Sequence, residues 1–186
     1  MEHLPIQLAA FAIATVPVVW LSWRSLKSPK NHGFYRFFSW ECILWLFVWQ
    51  IPVWFRDLLS WHQILSWIIL VASCYPVLAG VYELKKANRI DQKRDDPSLF
   101  GFESTTHLVT TGIFNYIRHP MYASLLFLAW GIAMKNPDPV SIIVAGFATI
   151  LLYLTAIMEE KEDIRFFGEE YQAYMKRSKR FVPWIF

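Results

Sequence analysis

The sequence predicts an all-α protein, a polytopic membrane helical bundle of about five transmembrane helices with a C-terminal cytosolic helical cap. Two observations predict this fold. Apolar residues make up 55% of the chain and charged residues only 18%, below the roughly 25% that is usual in soluble domains. The apolar residues also fall in long runs, and a helix needs about 20 of them to cross a bilayer. We treat residues 1–186 as a single membrane-embedded domain.

Five apolar runs define the predicted spans. Four of them are long enough for a full crossing, whereas the run from Met121 to Met134 has only 14 residues. A turn with two prolines, Lys135–Pro139, separates that short run from the last one, and proline cannot continue a helix. We therefore expect two antiparallel helices here. The predicted spans are residues 4–23, 37–55, 61–82, 120–134 and 140–158.

The basic residues are divided unequally between the segments that connect these spans. With the N-terminus outside, 16 of the 18 Lys and Arg residues fall in the inner segments 24–36, 83–118 and 159–186. Only Arg56 and Lys135 fall outside. The positive-inside rule predicts this orientation, with the C-terminus and the active site facing the cytoplasm. This topology accounts for the net charge of +3, so we expect no nucleic-acid partner.

The sequence contains no pattern of metal ligands. Cys42 and Cys74 both lie inside apolar runs, where cysteine behaves as a small buried hydrophobe. There is no CxxC pair and no disulfide framework, so we expect no metal. The first residues, Met1-Glu2-His3, are not basic, and we therefore expect the first apolar run to remain in the mature protein.

The short fourth helix places the residues before it below the membrane surface. Fourteen residues rise about 21 Å. If the proline turn lies at the outer surface, Arg118 and His119 lie about 9 Å inside the inner one. Pro120 fits the first turn of this helix, where no N–H is needed. Ionisable groups at such depth are candidates for function, so we predict a polar cavity around His119 that opens to the cytosol.

A second polar cluster follows the fifth span. Residues 159–163 include four acids at the predicted membrane exit. A solvated helix end would account for them, but Glu159 is nearest the membrane, and we expect it to turn into the same cavity as His119. An aromatic stripe at helical spacing comes next and is expected to close the cavity from below. Its members are Phe167, Tyr171 and Tyr174.

Two stretches in the second half of the chain carry motifs. Residues 110–122 read TTGIFNYIRHPMY, and residues 159–183 contain EE, then FGEEYQAY, then RFVP. These stretches resemble the TxGxYxxxRHPxY and EE…FGxxYxxY…RxxP signatures of the isoprenylcysteine carboxyl methyltransferase family, which is related to the phospholipid methyltransferases. The likeness covers about residues 104–186. Residues 1–90 match only as generic apolar spans.

The resemblance implies an S-adenosylmethionine-dependent methyltransferase of the membrane. It implies cofactor binding by the loop before the RHP motif, the HPxY element and the first acid of the EE pair. Carried over, these positions are His107, Leu108, Val109, Phe114, His119, Pro120, Met121, Tyr122 and Glu159. The implied catalytic residues are His119, Arg118 and Glu159. Thr155 occupies the position of a family arginine that contacts the prenylcysteine carboxylate, so the implied substrate contacts are Thr155 and Tyr122.

The resemblance implies a lipophilic acceptor that enters from the bilayer, with membrane lipids as the surrounding partners. A carboxylate, as in prenylcysteine, is the first expectation. A phospholipid amine, a quinone-like ring and an isoprenoid acid are the alternatives. Two other classes stay open, a nicotinamide-dependent membrane reductase and a non-enzymatic assembly factor. The chain has no GxGxxG motif, and affinity for the methyl donor would exclude the assembly factor.

Overall fold

The computed structural model describes residues 4–88 and 107–183, and these residues form six α-helices with no strand among them. The helices are α1 (Leu4–Leu26), α2 (His32–Gln50), α3 (Trp61–Asn88), α4 (Pro120–Ala133), α5 (Pro139–Phe167) and α6 (Glu169–Arg177). The all-α fold is therefore confirmed. Three helices, α1, α3 and α5, are long and apolar enough to cross a membrane. The number of five crossings stays a prediction, and residues 89–106 of the inner segment 83–118 lie outside the described residues.

Local signals fix the turn between α4 and α5. Asp138 caps α5, because its carboxylate accepts hydrogen bonds from the backbone N–H groups of Val140 and Ser141. Pro139 stands at the first helical position, where its missing N–H leaves no partner unsatisfied. The break between the two helices thus lies where the two prolines of the sequence predict it.

Helix α4 is the centre of the bundle and packs against α2, α3 and α5. Small side chains allow this close packing: Ala129 and Ala133 are fully buried. A Cβ atom at Gly131 would lie only 2.9 Å from the side chain of Leu70 on α3. Helix α1, by contrast, packs against α2 and directs apolar side chains such as Trp20, which is 79% exposed, to the outside. An apolar helix face of this kind suits contact with lipid.

The segment after α6 returns to the segment before α4. The two run parallel, since the N–H of Arg118 donates to the Lys179 carbonyl at 2.8 Å and the N–H of His119 donates to the Arg180 carbonyl at 3.1 Å. This pairing fastens the C-terminal segment beside the motif residues. We call this end of the bundle, with the starts of α2 and α4 and the end of α5, the site end.

Lys135 lies at the opposite end, in the turn between α4 and α5, and its side chain is fully buried. Its Nζ donates to Oε1 of Gln63 at 3.1 Å and lies 3.4 Å from the ring centroid of Trp67. The ring of Trp54 lies 5.1 Å from the same atom. A buried ammonium group needs such partners. Lys135 therefore fastens the α4–α5 turn to the start of α3.

Replacing Lys135 with Ala should lower the free energy of unfolding by about 3 kcal/mol, because it leaves a cavity between the tryptophan rings and an unpaired oxygen on Gln63. Lys135→Met keeps the volume and should lose roughly half as much. Denaturation in mixed micelles measures both variants. Lys176→Ala, at an exposed position on α6, is the control, and equal stability of Lys135→Ala and this control would contradict the anchoring role.

Candidate active site

A cavity opens at the site end of the bundle, with about 670 Å³ of empty space including its mouth. The lining residues are Leu84, His107, Leu108, Val109, Phe114, Arg118, His119, Pro120, Met121, Tyr122, Glu159, Asp163, Phe167, Tyr171 and Tyr174. Every residue that the sequence assigns to the cofactor is among them, as is Arg118. The structure thus brings these residues together, while their role in binding stays a prediction.

His119 and Glu159 belong to different helical segments and meet in this cavity. Nδ1 of His119 lies 3.3 Å from Oε2 of Glu159. The imidazole of His119 also stacks on the ring of Tyr122, with centroids 5.4 Å apart and planes inclined by 14°. Tyr122 supplies a further hydrogen bond to Glu159 through its hydroxyl. The polar segments before α4 and at the end of α5 therefore form one site.

Glu160 is the centre of a buried ion-pair network beside the cavity. Its Oε1 accepts from Nε and Nη2 of Arg118 at 3.0 and 2.9 Å. Arg180 donates from Nε to Oε1 at 3.0 Å and from Nη2 to Oε2 at 2.8 Å. Nε2 of His119 lies 3.4 Å from Oε1. Two guanidinium groups on one carboxylate fix its orientation strongly, so Glu160 holds the segments before α4 and after α6 together.

The two acids beside His119 determine its protonation. Burial lowers the pKa of His119, but the neighbouring carboxylates of Glu159 and Glu160 outweigh this effect and raise the pKa to about 9. His119 is therefore an imidazolium at neutral pH, and both of its ring nitrogens carry a proton. A group in this state donates hydrogen bonds and does not accept a proton from a substrate.

The aromatic stripe, which runs from the last residue of α5 into α6, forms the floor of the cavity. The hydroxyl of Tyr174 donates to the backbone carbonyl of Phe114, and both Tyr171 and Tyr174 are almost completely buried. Burial raises the pKa of each of the two phenols above its ordinary value, so they stay protonated. Phe167 stacks on Tyr171 with ring centroids 6.4 Å apart. These rings shield the site from below, as the helical spacing of the stripe predicts.

One oxygen of Glu159 is buried and has room for a further partner. Its Oε2 forms an ion pair with His119 but has no aligned hydrogen bond among the described residues. Buried carboxylate oxygens are nearly always hydrogen-bonded, so this atom suits a ligand that carries a positive charge or an N–H group. Apolar side chains such as Leu84 and Met121 line other parts of the cavity. The cavity thus suits a ligand with a cationic centre and an apolar part.

Thr155 is the sequence candidate that does not line the cavity. Its side chain is fully buried, and its hydroxyl donates to the carbonyl of Leu151 at 2.7 Å. Tyr122, the other implied substrate contact, does line the cavity.

Several residues of the site were not among the sequence candidates. Glu160 and Arg180 stand inside the EE and RFVP motifs, so the motifs contained the signal for them. Leu84 and Asp163 line the cavity without any motif of their own. Their places follow from the packing of the helices, which the sequence pattern does not specify.

The raised pKa of His119 predicts a pH dependence of stability. The unfolded chain has the ordinary histidine pKa of 6.5 and the folded chain a pKa of about 9. The stabilisation is therefore fully present below about pH 6.5 and is lost as the pH rises through 9, a change of about 3 kcal/mol. We expect the melting temperature in detergent to fall over this range, and His119→Gln to reduce that fall. A pH profile that His119→Gln leaves unchanged would contradict the assignment.

The comparisons with known proteins agree with this geometry. Residues 61–170 match the family model described as phospholipid methyltransferase. Methanethiol S-methyltransferase of Crocosphaera subtropica is 24% identical over 177 residues, 87% of this chain and 64% of that protein. Protein-S-isoprenylcysteine O-methyltransferase of Dictyostelium discoideum is 34% identical over 99 residues, 51% of this chain and 37% of the relative. The human protein of the same name is 35% identical over 86 residues, 45% of this chain and 30% of the relative. No solved structure matches the chain.

The alignments cover only part of each relative, from 30% of the human protein to 64% of the Crocosphaera subtropica one. The matched family region nevertheless contains α4 and both His119 and Glu159, which are the two sides of the cavity. The named relatives confirm the resemblance of the motifs to isoprenylcysteine methyltransferases. Together with the apolar helices they indicate an integral membrane protein. On this match the chain belongs to the phospholipid methyltransferase family.

Proposed function

We propose that this protein is a membrane methyltransferase that transfers a methyl group from S-adenosylmethionine to a lipophilic acceptor. The observation that supports it most is the buried Oε2 of Glu159, which has no aligned hydrogen bond among the described residues and lies beside His119 in a cavity lined by all the residues of the cofactor motifs. The ammonium group of the cofactor would donate a hydrogen bond to that oxygen, and its positively charged sulfur would be attracted to the same carboxylate. The family match and the names of the relatives support the same reaction class.

The residues present fit S-adenosylmethionine, which supplies an electrophilic methyl group on a sulfonium centre when bound. The carboxylate of Glu159 would hold its cationic part. The imidazolium of His119 and the backbone N–H groups at the start of α4 suit its carboxylate. The rings of Phe114 and Tyr122, both in the cavity lining, suit its flat adenine. Arg118 would act indirectly, because its guanidinium is bound to Glu160 and to backbone carbonyls.

The protonation of His119 limits the kind of acceptor. Methylation of an ammonium group or of a neutral hydroxyl needs a base that removes a proton from the acceptor. His119 does not provide that base, because it already holds its proton at neutral pH. An acceptor that is already an anion needs only alignment with the methyl group. We therefore infer an anionic acceptor, with a lipophilic carboxylate as the first candidate.

A thiol is the second candidate acceptor. The Crocosphaera subtropica relative, which aligns with 87% of this chain, is named for methanethiol. Thr155, at the position of the carboxylate-binding arginine of the isoprenylcysteine family, offers no positive charge and lies outside the cavity. A thiol that ionises in the site would need no such arginine.

The proposal includes an orientation in the membrane. The N-terminus lies outside and the site end faces the cytoplasm, because the basic residues are concentrated in the segments of that end. The cofactor then reaches the cavity from the cytosol. The acceptor enters from the bilayer, since the short helix α4 places the motif residues below the membrane surface.

Calorimetry on the purified protein tests the cofactor site. We expect Glu159→Gln and His119→Ala each to weaken binding of S-adenosylmethionine at least about tenfold, since each removes a charged contact. The controls are Glu170→Gln, at an exposed position on α6, and His62→Ala, at the opposite end of the bundle. Undiminished binding in both site variants would remove this assignment, and binding of a nicotinamide cofactor instead would favour a reductase.

An assay with radiolabelled methyl donor tests the acceptor. Membranes containing the protein receive a farnesylated cysteine derivative, a long-chain thiol or total lipid extract in separate reactions. A carboxylate acceptor predicts label on the farnesylated cysteine derivative, and alkali should release this label as methanol because the product is a methyl ester. A thiol acceptor predicts label on the long-chain thiol, and this label should resist alkali because the product is a thioether. Glu159→Gln should abolish either product. Label found only on phospholipid amines would contradict the inference of an anionic acceptor.

A further inference from the structure

A second buried histidine lies against the acidic end of α5. His32 is the first residue of α2, is fully buried and does not line the cavity. Its backbone N–H donates to Oε1 of Glu162 at 3.1 Å, and its Nδ1 pairs with Oε2 of the same carboxylate. Glu162 lies three residues after Glu159, and residues with this spacing share a helix face. His32 is thus held beside the face of α5 that carries Glu159.

The other ring nitrogen of His32 has no hydrogen-bond partner among the described residues. Burial lowers the pKa of His32, and Arg36 also lowers it, but the hydrogen bond to Glu162 and the charges of Glu159 and Glu162 raise the pKa above 6.5 overall. Glu159 raises the pKa of His32, and His32 in turn lowers the pKa of Glu159. The imidazole therefore interacts electrostatically with both acids, although its hydrogen bond is to Glu162.

Ion pairs from several elements hold the end of α5. Glu160 pairs with Arg118 and Arg180, Glu159 with His119, and Glu162 with His32. The buried guanidinium of Arg36 also lies close enough to His32 to lower its pKa. His32 therefore joins the end of α5 to α2 through its ion pair with Glu162.

We propose that His32 is a positioning residue for Glu159: together with Glu162 it holds the end of α5 in the orientation that presents Glu159 to the cofactor. This inference rests on the proposed function, because it concerns the same cofactor site. It means that α2 contributes to the affinity for the cofactor, although α2 lies in the half of the chain that contains no motif. A purely structural role, in which Glu162 only caps the start of α2, predicts a loss of stability and no loss of affinity in the folded protein.

The experiment compares binding of S-adenosylmethionine, by calorimetry, in the full chain and its variants. We expect His32→Gln to weaken binding about tenfold and Glu162→Gln to weaken it similarly. His62→Gln, which removes an imidazole at the opposite end of the bundle, should leave affinity unchanged. In the Glu159→Gln background, His32→Gln should change affinity less than about twofold, because a residue that acts through Glu159 has nothing left to position.

Charge alone predicts the opposite sign. Removing a cation near the cavity would by itself strengthen attraction for a cationic ligand, so tighter binding by His32→Gln would overturn the proposal. If His32→Gln lowers the affinity for S-adenosylmethionine equally in the unaltered protein and in the Glu159→Gln background, the proposal is also overturned. Unchanged affinity in His32→Gln, with Glu159→Gln weakened, removes this inference and leaves the proposed function intact. No affinity in the unaltered protein removes both.

A second readout needs no cofactor. Nitrogen NMR of histidine-labelled protein in detergent distinguishes an imidazolium, with both ring nitrogens protonated, from a neutral ring. We expect His32 to lose the imidazolium signature at a higher pH than an ordinary histidine, and Glu162→Gln to move that loss to lower pH. The His32→Gln variant identifies the signal. A titration of His32 that Glu162→Gln leaves unchanged would overturn the proposal, because the ion pair that holds the end of α5 would then be absent.

Discussion

The site depends on the ion pairs between Glu160 and two arginines. A lone buried carboxylate is costly, and it becomes stable only when it is paired and hydrogen-bonded. Arg118 precedes α4 and Arg180 follows α6, so the one carboxylate joins three separate parts of the chain. Removing it would leave two guanidinium groups without their acceptor. The same contacts hold the walls of the cavity in place, and the function proposed for the cavity therefore rests on them.

Adjacent acids have different tasks in this arrangement. Because successive residues of a helix point about 100° apart, Glu160 turns towards the arginines while Glu159 turns into the cavity. The arginines satisfy Glu160 fully, so their charge is not available to a ligand. Glu159 and the imidazolium of His119 offer the cavity one negative and one positive group. Such a pair suits a zwitterionic ligand, and the protonated His119 contributes to alignment rather than to proton removal.

The sequence predicted the helices and the meeting of the two halves of the site, since apolar run lengths, prolines and motifs act locally. It predicted the direction of Glu159 but not that of every side chain. Thr155 precedes Glu159 by one turn, yet its hydroxyl is satisfied within α5 and does not reach the cavity. Charge counting placed Lys135 in an outer turn, but Gln63 and Trp67 receive its ammonium group in a buried site. The direction of each side chain follows from contacts in the folded helices, and the apolar and charge pattern of a segment does not specify those contacts.

The first half of the chain contributes to the site through packing rather than through a motif. The family match begins at residue 61, so α1 and α2 lie outside it. Helix α2 nevertheless packs along α5, and this contact ends where His32 meets Glu162. A change anywhere along that interface that shifts the end of α5 also shifts Glu159. The matched region therefore supplies His119 and Glu159, and α2, which the match does not reach, fixes the helix end on which Glu159 stands.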